Sequence, residues 1–287
     1  MTFYLLPVLY TVMLWWFTTG LVIVVYGRSV RTVRLFFVIA TGVMLAALGG
    51  LVALRDVGEP WAVYATFTCG TLVWGWLMAS YYLGFITGEP LPTDLRRRPG
   101  YYRLQQEPVR RLRLAVRASM HHELLVLAFG LGLFWLNWNA ANPWGSWTFL
   151  ALWVMHLSSK LNVFFGVRNF PIEYLPRHLH GFGVLLGKRP INPFFPFAVV
   201  AATLVVWRMF SSVPAPDMPA DQAVGLMLVG WMILLGVMEH WLLVLPVPAM
   251  IWGWHLRLLP PENDTTGDPT RRPGGALSVA PGPVSES

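Results

Sequence analysis

Charge is what this sequence has least of. Only 12% of its 287 residues are Asp, Glu, Lys or Arg, against about 25% in a soluble globular domain. A soluble fold of this length still has a surface to wet, so the deficit excludes one and points to a lipid-facing exterior. Cysteine is nearly absent as well. The single Cys69 sits in an apolar run, which excludes an intrachain disulfide and a cysteine-based metal site. A basic n-region is missing ahead of the first apolar run, which starts at Phe3 and is too long for the h-region of a cleaved signal. It reads as a retained helix. Nucleotide-binding glycine loops, nucleophile elbows and a Ser-His-Asp order are also absent.

What is there is hydrophobic sequence, 55% of the chain with a mean hydropathy of +0.53. Seven windows are apolar for about 18 residues or more, enough to cross a hydrocarbon core of roughly 30 Å. They run Phe3–Tyr26, Leu35–Leu54, Trp61–Ile86, His122–Trp138, Trp147–Val167, Pro193–Met209 and Ala223–Trp254. The expected fold is therefore all-α, a polytopic membrane bundle over 1–259. A Pro/Gly/Ser-rich tail over 260–287 has the composition of a disordered segment. The last window exceeds one span and should leave the membrane near Pro246 and Pro248, with Trp252, Trp254 and His255 at the interface. Proline at Pro60, Pro108 and Pro193 marks helix starts. A helix from Pro108 to Trp138 would be about 46 Å long and would carry basic turns out along anionic lipid. Trp135, Trp138, Trp144 and Trp147 are expected to form an aromatic belt at the far interface.

The basic residues orient this bundle. Arg28, Arg31 and Arg34 follow the first span; Arg96, Arg97, Arg98, Arg103, Arg110, Arg111, Arg113 and Arg117 follow the third. Arg168, Arg177, Lys188 and Arg189 follow the fifth, and Arg257, Arg271 and Arg272 fall in the tail. The alternate connections hold only Arg55. The positive-inside rule then places the N-terminus outside the cytoplasm and the C-terminus inside. Topology accounts for the net charge of +7 without nucleic acid as a partner.

Ionisable groups inside spans are costly unless paired or hydrated, so they are the places to look for a site. His121, His122 and Glu123 stand at the entry of the fourth span. His156 and Lys160, four apart, share a face of the fifth, followed by Asn162. Glu239 and His240 lie in the seventh. All fall in the same half of the bilayer, and Glu239 with Lys160, or Glu123 with His156, are the expected pairs. Arg208 in the sixth span reads as a snorkelling side chain. The plain alternative is a polar network that only fixes helix register. A metal reading meets an obstacle, because His122-Glu123 and Glu239-His240 are adjacent and diverge by about 100° on a helix; the metal stays unknown. Tetrapyrrole ligation is a second reading, since a neutral His can bind a chlorin magnesium or haem iron. Gly236 and Ala118, one turn before His240 and His122, would let a macrocycle lie flat, making His240 and His122 the candidate cofactor-binding residues. His178 and His180 lie in an amphipathic stretch, EYLPRHLHGFG, expected to be interfacial and solvated.

Three stretches carry a resemblance: HHELLVLA, then GSWTFLALWVMHLSSKLNVFFGVRNFPIEYLPRHL, then MEHWLLVLPVPAMIWGWHL. They closely resemble the PuhE family of photosynthetic complex assembly proteins, encoded near the reaction-centre H-subunit gene of purple and related phototrophic bacteria. Lys160–Asn169 (KLNVFFGVRN) is the most specific element, and the first three helices match in hydropathy and length alone. Lys160, Asn162, Arg168, Asn169, Glu239 and His240 match the family; His121 stands where it has an aromatic, and His156 where it often has Arg. The resemblance implies a membrane-embedded assembly factor for the photosynthetic apparatus, supporting reaction-centre assembly or modulating bacteriochlorophyll supply. The implied cofactor is bacteriochlorophyll or another tetrapyrrole. The implied partners are reaction-centre or light-harvesting subunits, other assembly factors and membrane lipid, at the inner (intracytoplasmic) membrane. The alternative is a metal- or tetrapyrrole-dependent membrane enzyme of pigment biosynthesis.

Overall fold

The ends of the helices follow from local chemistry. In the computed structural model, which describes residues 2–89, 91, 104, 106–170 and 177–245, seven helices are long and apolar enough to span a membrane. They are α1 (Thr2–Val25), α2 (Val30–Ala53), α3 (Pro60–Tyr82), α4 (Pro108–Leu136), α5 (Trp144–Phe165), α6 (Phe194–Ser212) and α7 (Ala220–Val244). A 3-10 helix, Arg177–Val184, lies between α5 and α6. The protein is an all-α polytopic membrane bundle, as its composition predicts. The tail, Trp252, Trp254 and the two prolines near the last span fall outside the described residues.

The apolar windows misplace several ends for identifiable reasons. Ser29 Oγ accepts from the Thr32 N–H at 3.2 Å and opens α2 at Val30, so Arg31 and Arg34 ride in its first turns. α3 stops at Tyr82 instead of Ile86 because Gly84, at φ 81°, turns the chain, and the Phe85 and Ile86 N–H groups both donate to the Ser80 carbonyl. α5 stops at Phe165 because Gly166 takes φ 117°, a conformation that L side chains rarely adopt. Pro60 and Pro108 do sit in the first turns of α3 and α4.

α3, α5 and α7 pack on one another and form the centre; α1 lies on α3 and α7, α2 on α3, α4 on α5 and α3, and α6 on α7 and α5. The outer helices leave Leu9, Met13, Phe17, Val38, Leu45, Phe197 and Leu204 exposed, which a bilayer tolerates because lipid tails are as apolar as these side chains. Where α3, α5 and α7 begin, contact is through small residues. A Cβ on Gly70 would fall 2.3 Å from the Gly145 carbonyl oxygen, and one on Gly145 would meet Leu51 and the Thr66 carbonyl. Thr66 Oγ1 donates to Asn142 Oδ1 at 3.0 Å, and Asn137 Nδ2 donates to Ser146 Oγ at 2.6 Å. Trp135, Trp138 and Trp147 expose their indoles around this end. Trp144 corrects the expected belt: its ring packs inward on Gly225. Toward the opposite end a cavity opens between the helices, although α5 and α7 stay in contact through Met155 on Gly236 and Ser158 on His240.

Candidate functional site

The cavity, of about 720 Å³, lies between the C-terminal halves of α1, α3, α5 and α7 and the N-terminal half of α4. Its walls are chiefly apolar and aromatic, including Trp15, Trp74, Tyr81 and Tyr82. Leu179 and Phe182 of the 3-10 helix also line it. Four of the ionisable groups singled out above share this lining: Glu123, His156, Lys160 and Glu239.

Their pairing differs from expectation. Lys160 Nζ donates to Glu123 Oε1 at 2.5 Å, tying α5 to α4, so neither Glu239–Lys160 nor Glu123–His156 is the pair formed. His156 and Lys160 lie a turn apart in depth, and both meet α4: His156 packs edge-on against the His122 ring at 6.5 Å, while Lys160 takes Glu123. Both partners keep about 30% of their side chains exposed (28% and 31%). The ammonium also lies 5.0 Å from the centre of the Tyr81 ring. Glu239 instead lies near the side chain of Trp15, which lines the cavity with it. His156 packs edge-on against Trp74 at 5.5 Å, and its Nε2 is buried without a hydrogen-bond partner.

His122 is fully buried behind the cavity wall, its ring 4.5 Å from that of Tyr81, and neither ring nitrogen has a partner. A length of main chain holds it there. The loop after α3 lies along α4, with the His122 N–H donating to the Thr87 carbonyl and the Glu89 N–H to the Arg117 carbonyl. Adjacent on the helix, His122 and Glu123 thus face different surroundings, as a 100° separation requires.

His240 is 1% exposed and both its nitrogens are engaged. Nδ1 lies 2.7 Å from the Gly236 carbonyl, which can only accept, so Nδ1 carries the proton. Nε2 therefore accepts from Ser158 Oγ at 2.9 Å. The space over Gly236 that would seat a macrocycle is filled by Met155. A pigment at His240 would have to displace both Ser158 and Met155. Among the described residues no three His, Cys, Asp or Glu side chains converge as a metal site would require.

Asn162 belongs to the frame of the site. Fully buried, it donates to the Ser158 carbonyl at 3.0 Å and accepts from Asn192 Nδ2 at 3.1 Å. Asn192 in turn caps α6 through the Phe194 and Phe195 N–H groups. Asn169 binds the end of α7 through the Leu243 and Leu242 carbonyls. The KLNVFFGVRN stretch thus fastens α5 to α6 and α7 beside the cavity. His178 corrects a second expectation: instead of being merely solvated, its Nε2 donates to the Tyr81 carbonyl at 3.1 Å. Partial burial draws the His178 imidazole below its usual pKa, and that hydrogen bond opposes the shift. Arg208, exposed, donates to Ser212 on its own helix.

The family model for DUF3623, a protein of unknown function, matches residues 1–263 of the chain. The chain belongs to the DUF3623 family. The matched region takes in every residue of the cavity. A relative from Rhodobacter capsulatus, described as an uncharacterized 30.4 kDa protein in the puhA 5′ region, is 26% identical over 272 residues. That similarity covers 92% of this chain and 95% of the relative. No solved structure matches. Within this DUF3623 chain, Trp15, Tyr81, Tyr82 and Ser158 are site residues that sequence reasoning passed over. Ser158 stands two residues from both His156 and Lys160, hence on another face of α5, and the aromatics look like any other membrane-helix residue.

Proposed function

We propose that this protein is a membrane-embedded assembly factor for the bacterial photosynthetic apparatus, holding an amphiphilic molecule in its cavity during assembly. The observation that carries the reading is the cavity itself. Ligand sites are mostly apolar pockets of about 300–1,000 Å³ with a few convergent polar groups; this one holds Glu123, His156, Lys160 and Glu239 in a half of the bundle where each is expensive. The photosynthetic context comes from the relative in the puhA 5′ region and from the resemblance of Lys160–Asn169. Bacteriochlorophyll or a related chlorin is the amphiphile that this context favours; His156 lines the cavity and would have to turn its buried Nε2 outward to meet it, whereas His240 would have to give up both of its hydrogen bonds. The positive-inside rule puts the cavity in the cytoplasmic half of the inner or intracytoplasmic membrane. Reaction-centre or light-harvesting subunits are the partners.

An absorption spectrum of the protein purified from its phototrophic host in mild detergent tests the pigment. The expected result is a chlorin band at near-stoichiometric ratio that His156→Leu reduces; a band unchanged in His156→Leu and lost in His240→Ala would move the ligand to α7. Deleting the gene tests the role. Fewer assembled complexes with normal pigment chemistry are expected, whereas accumulation of one biosynthetic intermediate would make the protein a membrane enzyme of pigment synthesis.

A further inference from the structure

Among the described residues the charges around the cavity do not balance: they are two carboxylates, Glu123 and Glu239, and one ammonium, Lys160. Lys160 is committed to Glu123. Among the described residues Glu239 makes no ion pair with Lys, Arg or His, and its neighbour His240 is turned away to Ser158 and Gly236. The polar side chain near it is the neutral indole of Trp15. A carboxylate at membrane depth costs several kcal/mol unless a counter-charge or water meets it.

The surrounding surface is suited to supplying that counter-charge from a ligand. Trp15, Trp74, Tyr81 and Tyr82 line the same space, and the faces of such rings attract cations, quaternary ammonium groups above all. The protein already uses one of them this way, with Lys160 over Tyr81. An anionic head group would meet two carboxylates and a lysine already paired. The apolar remainder of the lining, with Val22, Ile23 and Val116 among it, suits a hydrocarbon tail.

We infer that the cavity binds an amphiphile with a cationic head group, the charge lying between Glu239 and the Trp15–Tyr82 aromatic wall. This rests on the cavity being the ligand chamber proposed above; a magnesium chlorin has no cationic head group, so the head-group assignment and the chlorin assignment exclude each other, and the absorption spectrum and the probes below decide between them.

Three fluorescent probes sharing a diphenylhexatriene core test it: one with a trimethylammonium group, one neutral, one with a propionate. Binding is read as saturable energy transfer from tryptophan in nanodiscs of neutral lipid, with empty nanodiscs subtracted. The trimethylammonium probe is expected to bind about tenfold or more tighter than the propionate probe. Glu239→Gln should remove that preference while leaving the neutral probe's affinity within about twofold. Lys160→Gln, which deletes the positive charge, should widen it. The two variants move in opposite directions, so a general loss of folding cannot mimic the result. Equal affinity for the three probes in the wild-type protein, or preference for the propionate, would overturn the head-group assignment and leave the chamber standing. No saturable binding of any probe would overturn the chamber. Choline chloride at the same concentration should not compete; equal competition would show that the tail contributes nothing and sink the amphiphile.

Discussion

At one end of the bundle α3 and α5 meet backbone to backbone and the Trp144 ring of α5 seats on Gly225 of α7; at the other a cavity opens between the helices. The closed end is built from Gly70, Gly145 and Gly225, with Thr66, Asn137, Asn142 and Ser146 supplying hydrogen bonds between segments. The open end has bulky side chains, Trp74, Tyr81 and Lys160 among them, around the cavity, while Met155 over Gly236 and Ser158 on His240 keep α5 against α7. The difference teaches how a membrane protein can keep a cavity without collapsing it. Lipid supplies no hydrophobic drive for helix association, so close packing at one end must fix the helix rotations that the other end depends on. Glu123 reaches Lys160 only because α4 and α5 are held in one rotational setting.

Breaking the closed end should have the largest effect. Gly70→Val places a side chain into the Gly145 backbone, where neither chain can yield. A loss of about 3 kcal/mol or more is expected, measured as a fall in thermal midpoint in detergent and as loss of the folded peak on size exclusion. Next comes the bridge across the open end. Glu123→Gln strands Lys160 in a half-buried setting and should cost about 1–3 kcal/mol, reduced from the fully buried case because both side chains retain some exposure. Adding Lys160→Met to it should recover part of that loss in a double-mutant cycle; additivity would show that the pair contributes nothing. Ser158→Ala removes the hydroxyl that His240 Nε2 accepts from and should cost about 1 kcal/mol, checked by the same melts.

The smallest effect concerns the 3-10 helix beside the open end. His178 has its folded-state pKa below the unfolded value, so the unfolded state binds the extra proton as pH falls through about 6.5. Stability contributed by neutral His178 is therefore complete above that value and is lost on acidification. Amide exchange in 177–184 should accelerate between pH 7.5 and 5.5, and His178→Gln should flatten the dependence. The closed end should show no such change.

The seven spans were legible because the cost of exposing polar backbone to lipid forces long apolar runs. The helix starts at Pro60 and Pro108 were legible for a local reason, the missing proline N–H. The start of α2 was not, because Arg31 and Arg34 lower the hydropathy of a segment that Ser29 nonetheless caps. The depth of Glu123, His156, Lys160 and Glu239 could be read from spacing and topology, yet their pairing could not, since it depends on rotations set by Gly70 and Gly145 on other turns. His122 shows the same limit. Nothing in its sequence neighbourhood announces that Thr87, 35 positions earlier, would accept its backbone proton.

That last contact has an evolutionary consequence. The segment after α3 grips α4 through main-chain atoms, with a Cβ on Gly88 falling 2.4 Å from the Ala118 carbonyl carbon. Bonds made by peptide groups do not depend on which side chains flank them. Thr87 can be exchanged while the seam along α4 persists, and Glu89 can change at the cost of its surface ion pair with Arg117. The side-chain sensitivity of the seam is greatest at Gly88, and at Glu89 and His122 it is proline, which lacks the donated N–H, that the seam excludes.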